Sequence, residues 1–479
     1  MKVILGFYNI HFFLFIFEKK VGSYLELYDI LKSEIILKKM KVNSKFPSIR
    51  QISGKYGCNS NTVLRVYKLL EENGYIYSIK GKGSFVKANY DISIDEKVFP
   101  LIENFRYGQN VKKYSINFSN GTPSKNLFPV DSYRKYIERA FNEKGSYLLG
   151  YQDVQGLESL REAIAEYIEK YDIFVNSDDI FITSGTQQSL AVIMKAFGYS
   201  PKKTVVISDP SYPNALNFLE DMCNVRTMDL QKDGWDMSEF KELLQKEKVD
   251  FVYETFNFQN PTGVIWSEKK KKELLELAKD YHFYIIEDDC FADFSYKDRV
   301  SSLKSMDRVG EERVIYLKTS SKVLMPGINS AFVIPPKKFM DKFIIAKYGL
   351  DPNTSGLNQK VLEYFIKEKE LDRHIREIKG ILKEQLKVML EELKKIPDIE
   401  VMNIPKGGFF LWVKLPEHID GEYFYYKCKM NGVSILPGTI FYNNKKECNK
   451  IRLSFLTNNK EEIVKGVEIM KKIIIDKME

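Results

Sequence analysis

The stretch 318-KTSSKVLMPGINSAF-332 places a lysine after three hydroxyl residues, then turns the chain through Pro326-Gly327. A lysine that is to bond a carbonyl carbon must be neutral part of the time, which takes partial burial near another cationic group. Thr319 and Ser321 add hydroxyls suited to a phosphate. Frequency alone favours a solvated Lys322, because lysines and arginines number 73 among 479 residues. The rest of the chain decides between the two readings.

From residue 114 onward, helical patterns alternate with short β-rich runs: VVIS (205–208), DFVYE (250–254), FYIIED (283–288) and VIYL (314–317). This alternation predicts an α/β domain with a mostly parallel sheet, in which ligands bind beyond the carboxyl ends of the strands. In 181-FITSGTQQSLAVIMKAF-197 a strand gives way to a glycine turn and a helix start. The N–H groups of Gly185, Thr186 and Gln187, with the Thr186 hydroxyl, can there form an anion nest, although any N-capped helix looks similar. Tyr212 in 209-DPSYPNAL-216 could stack on a flat cofactor or simply fill space. Asn260 in 257-NFQNPTG-263 offers an amide donor beside a fixed turn. Asp288 in 286-IEDDCFADF-294 ends a buried strand; it either caps or pairs with a cation such as a protonated pyridine nitrogen.

The order of these segments is more specific than any of them. G-x-x-x-L-R at 156–161, SGTQQ, DPSYP, QNPTG, EDD, TSSK, GGFFLWVKLP (407–416) and IRLSF (451–455) together resemble the fold-type I aminotransferases over about residues 114–475. The resemblance implies pyridoxal 5'-phosphate as cofactor, with Lys322 forming the Schiff base and Asp288 pairing with the pyridine nitrogen. It also implies that Tyr212 stacks on the ring and Asn260 meets its phenolic oxygen. Gly185, Thr186, Gln187, Thr319 and Ser321 would hold the phosphate, and Tyr151 of GYQDVQG would reach in from the partner in a homodimer. Arg452 would clamp the α-carboxylate of an amino acid, a two-pronged task suited to arginine. Two positions depart from the family. Its phosphate-binding arginine, about seven residues after the lysine, falls at Asn329, and no arginine occurs between Arg313 and Arg373. Its tyrosine after the aspartate falls at Cys290 or Phe291. Loss of one charge-assisted phosphate contact costs about 1.5–3 kcal/mol, which weakens turnover more than ligand binding.

A separate basic module lies at the front. Residues 19–90 hold 14 Lys and Arg against 5 Asp and Glu, whereas the net charge of the whole chain is +8. The remainder is nearly neutral, and such a footprint fits nucleic acid. A helical pattern at 23–40 precedes 46-FPSIRQISGKYGCNSNTVLRVYKLLEENGYIYSIKGKGSFV-86. Pro47-Ser48 starts a helix, Gly57-Cys58-Asn59 turns, and Ser60 is expected to cap a second helix that buries Val63, Leu64, Tyr67 and Leu69 or Leu70. That helix stops at Asn73-Gly74, and runs 75–79 and 84–86 form a hairpin. The segment resembles the winged helix of GntR-type repressors. By that resemblance Arg50, Asn61, Thr62 and Arg65 face double-stranded DNA, with Lys80, Gly81 and Lys82 at the wing. Asn61 is taken to replace the basic residue that usually follows the turn serine. A winged helix ahead of an aminotransferase-like body resembles the MocR subfamily of regulators.

Five cysteines without a CxxC pair and four scattered histidines argue against a disulfide framework or a metal site, and for a cytoplasmic protein. The expected layout is an apolar extension (1–18), a winged helix (19–87), a linker (88–113) and the cofactor-binding body (114–479), split at about 370/371 into large and small parts. Residues 1–17 are too short for a confident membrane span and lack a cleavage site, so no membrane association is expected, with an anchor as the lesser reading. The expected function is a DNA-binding regulator that senses an amino acid or vitamin B6 ligand at an operator; a working aminotransferase is the alternative.

Overall fold

A capping box opens the helix-turn-helix: the Ser48 hydroxyl accepts from the Gln51 N–H at 3.3 Å, and the Gln51 side chain accepts from the Ser48 N–H at 2.8 Å. It sits in a computed structural model that describes residues 24–36, 40, 43–79, 81–87, 116–297, 299–307, 311–443 and 448–478. The apolar extension 1–18, the linker 88–113 and Lys80 lie outside the described residues. The chain divides into two units, Met1–Phe99 and Pro100–Glu479.

In the first unit α1 (Tyr24–Ile36) precedes α2 (Ile49–Tyr56), which ends on Gly57 at φ 61°, a left-handed position suited to glycine. Helix α3 (Ser60–Glu72) is capped by Asn59, not Ser60, with the Asn59 oxygen accepting from the Thr62 N–H at 2.8 Å. Both residue types cap well, and only the path of the turn separates them. Val63, Val66, Tyr67 and Leu70 face the core at i, i+3, i+4 and i+7. Leu64, expected inside, is 56% exposed on the opposite face. The wing pairs β1 (Ile76–Ile79) with β2 (Gly83–Val86), from Ile76 opposite Val86 to Ile79 opposite Gly83. Residues 43–46 line the other edge of β2, where the Phe46 N–H donates to Ser84 O at 2.7 Å.

The second unit begins with β3 (Ile116–Asn117) and builds a seven-stranded sheet. Its strands are β4 (Phe181–Thr183), β5 (Thr204–Asp209), β6 (Asn224–Asp229), β7 (Phe251–Glu254), β8 (Tyr284–Asp288), β9 (Val314–Thr319) and β10 (Ala331–Ile334). The order is β4-β10-β9-β8-β7-β5-β6, and only β10 runs against its neighbours. The expected α/β class with a mostly parallel sheet is therefore what forms. Helices cover both faces, which explains why the central strands are buried and largely apolar. A smaller antiparallel sheet, β11-β12-β15-β14, comprises β11 (Glu400–Val401), β12 (Phe410–Lys414), β14 (Leu436–Pro437) and β15 (Lys450–Ser454). Beside it β13 (Val433–Ser434) pairs in parallel with β3, so the start of the body completes its C-terminal part.

Next to the strand ends lies a buried ionic cluster that sequence reading did not separate from the site. Lys318 Nζ lies 2.8 Å from Asp293 and 3.5 Å from Asp289, all three buried. Tyr316 donates to Asp289 at 2.7 Å, and Tyr167 and Tyr171 donate to Asp293. Lys170 joins Asp293 to Asp372 on the helix Glu370–Leu393. Burial by itself would raise the Asp293 carboxyl; Lys318 and Lys170 outweigh it and hold the group well below the usual carboxylate range. Its contribution to stability is thus complete above the unfolded value of about 4 and is lost as the pH falls from there through the lower folded value. Lys318→Met leaves two carboxylates buried without their main cation and should cost about 3–5 kcal/mol in urea unfolding at pH 7. The gap between variant and wild type should narrow as the pH drops below about 4.

Candidate functional site

The parallel strands deliver their carboxyl ends to one edge, and the expected residues follow from those ends. Tyr212 precedes the helix Pro213–Met222 after β5, Asn260 lies beyond β7, Asp288 ends β8 and Lys322 follows β9. Tyr212, Asn260, Lys322 and Arg452 line one cavity of about 850 Å³, together with Gly121 and Phe410. Lys322 Nζ donates to the Gly121 carbonyl at 2.9 Å. Burial pushes its pKa down, with the Arg452 guanidinium adding to the effect and Cys290 and Asp288 opposing it. This is the environment that a part-time neutral amine requires.

Asp288 is buried and receives two hydrogen bonds, from Tyr253 at 2.6 Å and from the Cys290 thiol at 2.6 Å. Burial raises its carboxyl, and these two bonds counter the rise. Among the described residues no lysine or arginine pairs with it, whereas its neighbour Asp289 has Lys318. A buried carboxylate with donors but no ion-pair partner suits a cationic ring nitrogen. Neither Tyr253 nor Cys290 was singled out in the sequence as a partner of Asp288. Tyr253 lies abreast of Ile286 in the β7–β8 pairing, a register that no single-strand reading contains. Of the two candidates for the missing tyrosine, Cys290 reaches Asp288, while Phe291 packs edge-on against Phe409 and Phe410.

Arg452 on β15 comes from the small sheet and is buried. It donates to the Asn260 oxygen at 2.9 Å and to the Ser119 carbonyl, and it lies 4.1 Å over the Phe410 ring. Its Nε has no partner among the described residues. Burial pushes its pKa down to about 9, which leaves it charged at neutral pH. Because Arg452 occupies the Asn260 oxygen, the Asn260 NH2 is the group left to donate.

Gly185, Thr186, Gln187, Thr319 and Ser321, the expected phosphate cradle, lie at or just beyond the ends of β4 and β9, outside that cavity lining. Thr183, Ala331 and Thr319 lie abreast on β4, β10 and β9, so the turns that follow Thr183 and Thr319 meet the turn that precedes Ala331. Gly185 has φ 120° and caps the helix Thr186–Ala196, whose first N–H groups lack intrahelical acceptors. Asn329, at φ 44°, brings its side-chain oxygen to 3.4 Å from where a Cβ on Gly185 would stand. The neutral amide therefore sits on the cradle itself. The Thr319 hydroxyl faces Ser330 O at 3.5 Å and accepts from the Ser321 N–H at 3.2 Å. Gln187 is exposed, and Tyr151 is 84% exposed.

On the winged helix, Arg50, Asn61, Arg65, Gly81 and Lys82 are exposed. Arg65 stacks 3.7 Å over Tyr24 and donates to its hydroxyl at 3.1 Å. The Thr62 hydroxyl is committed to Asn59 at 3.1 Å. With Asn59 as the cap, Ser60 is the first residue of α3 and Asn61 the second.

Comparison with known proteins agrees with both halves. Residues 114–468 match the family model of class I and II aminotransferases, and residues 23–86 that of bacterial regulatory proteins of the gntR family. The chain is 33% identical to aromatic-amino-acid aminotransferase 1 of Thermococcus litoralis over 372 residues, 76% of this chain and 88% of the relative. It is 27% identical to the HTH-type transcriptional regulator NorG of Staphylococcus aureus over 439 residues, 88% and 97% of the two chains. Among solved structures, the α-aminoadipate aminotransferase LysN of Thermus thermophilus, complexed with N-(5'-phosphopyridoxyl)-L-leucine, superposes with TM-score 0.73 at 27% identity, covering 82% of this chain and 99% of that one. Pyridoxal 5'-phosphate is the cofactor of this fold family. The chain thus belongs to the class I and II aminotransferase family, and its front segment matches the gntR family of bacterial regulatory proteins, an arrangement similar to that of MocR regulators.

Proposed function

We propose that the chain is a transcription regulator, active as a homodimer, whose aminotransferase-like domain senses an amino acid or a vitamin B6 compound. The observation that carries this reading is the cradle: it keeps the helix N-terminus of Thr186–Ala196 but has neutral Asn329 where the family places an arginine. The phosphate is then held by backbone dipoles and neutral groups, which supports occupancy that responds to concentration over a permanently loaded site.

The residues fit pyridoxal 5'-phosphate. Lys322 would bond it, and Asp288, steadied by Tyr253 and Cys290, would hold a proton on the ring nitrogen. Asn260 would donate its NH2 to the phenolic oxygen, Tyr212 would cover the ring, and Arg452 would orient an α-carboxylate. When bound, the cofactor supplies an electron sink for groups on the amino acid's α-carbon. Tyr151 is exposed enough to enter a partner's site. A ligand that binds unequally to two arrangements of the dimer shifts their populations, and with them the spacing of two winged helices. The working-aminotransferase reading draws on the complete set Lys322, Asp288, Asn260 and Arg452, and on relatives that bear that name.

Three outcomes are expected. Adding pyridoxal 5'-phosphate should give a visible absorption band that Lys322→Ala removes; a band that survives the substitution would exclude Lys322 as the attachment point. Asn329→Arg should tighten the cofactor by about tenfold or more, corresponding to the 1.5–3 kcal/mol of a charge-assisted bond, in fluorescence titrations. In gel-shift assays, the duplex upstream of the protein's own operon should be bound at low salt and its mobility altered by cofactor plus an amino-acid panel. Steady conversion of an amino acid and a 2-oxo acid, with no effect on any duplex, would support the enzyme reading in its place.

A further inference from the structure

The recognition helix has an apolar residue that the fold does not use. Its buried side is Val63, Val66, Tyr67 and Leu70. The opposite side carries Asn61, Leu64, Arg65 and Lys68, again at i, i+3, i+4 and i+7, and all four are exposed. An isolated surface leucine is unremarkable, since much of any protein surface is apolar. The position of this one is informative: it lies between an amide suited to a base edge and two cations suited to phosphates, in a module with 14 basic and 5 acidic residues over 19–90.

The neighbours restrict what can cover Leu64. Arg65 is steered towards α1 by its stack on Tyr24, and Lys68 pairs with Glu72 one turn along at 3.9 Å. Thr62, on the near flank, has its hydroxyl committed to the cap. The middle of the face is thus left to Asn61 and Leu64, a carboxamide followed one turn later by an isobutyl group. In the major groove, adenine offers the donor and acceptor that a carboxamide matches, and only thymine offers an apolar group, its C5-methyl. A helix entering the groove by its N-terminal turns brings such residues to base edges.

We propose that Leu64 is a specificity-determining residue that reads the methyl group of a thymine close to the base addressed by Asn61. This rests on the DNA-binding reading of the winged helix. Apolar contact with one methyl is worth about a three- to fivefold change in affinity.

The test uses the full-length protein at one fixed salt concentration, because phosphate contacts make affinity salt-dependent. Duplexes are enriched from a randomised pool, and each thymine of the enriched site is replaced in turn by deoxyuridine, which lacks only that methyl. Leu64→Met keeps an apolar tip and Leu64→Ser removes it; an exposed position lets both variants fold. The expected result is one thymine per half-site whose replacement weakens wild type and Leu64→Met three- to fivefold and leaves Leu64→Ser unchanged. If Leu64→Ser weakens thymine and deoxyuridine duplexes equally, or no replacement matters, the proposal is overturned. Failure to enrich any duplex would instead overturn the DNA-binding reading on which it stands.

Discussion

Two adjacent carboxylates, Asp288 at the end of a buried strand and Asp289 just beyond it, are met by different partners, and the organisation of the body follows from that difference. Side chains alternate along β8, so Asp288 and Asp289 are sent to opposite sides of the sheet. Asp289 meets Lys318 from the neighbouring strand, and the pair is tied through Asp293 and Lys170 to the long helix Glu370–Leu393. Asp288 meets two neutral donors and, among the described residues, no ion-pair partner. One carboxylate is thus paired with a cation of the protein, and the other, among the described residues, is held by neutral donors alone. Burial makes both arrangements stringent, because an unpaired buried charge costs several kcal/mol.

The same economy of charge separates the two parts of the ligand site. On one side, Arg452 is buried and held by neutral oxygens from Asn260 and Ser119, with an aromatic ring beneath it. A cation that, among the described residues, has an unpartnered Nε and no carboxylate of its own is suited to one brought by a ligand. On the other, the expected phosphate cradle consists of a helix N-terminus, a glycine at φ 120° and an asparagine amide.

The winged helix shows how a few local choices set a recognition surface. The cap at Asn59 fixes where α3 begins, and this decides which residues face outward. With that start, Leu64 is turned to solvent and Val66 into the core. Tyr24, far away in sequence, then fixes the direction of Arg65.

Much of this was legible in the sequence. Alternating β-rich runs and helical periods set the α/β class, and the order SGTQQ, DPSYP, QNPTG, EDD, TSSK picked out Tyr212, Asn260 and Lys322, which line one cavity. The charge of residues 19–90 and the PS-x-R to G-S-F-V pattern marked the DNA-binding module. These signals are local, since they depend on periodicity, turn chemistry and net charge. What the tertiary structure decided is of another kind. That Tyr253 and Cys290 share Asp288, that Gly121 and Ser119 reach across to Lys322 and Arg452, and that Asn329 lies on Gly185 depend on register between strands and on contacts over many residues. The choice between Asn59 and Ser60 as cap, and hence the outward face of α3, turned on the path of one turn, which two equally good capping residues leave open until the backbone is built.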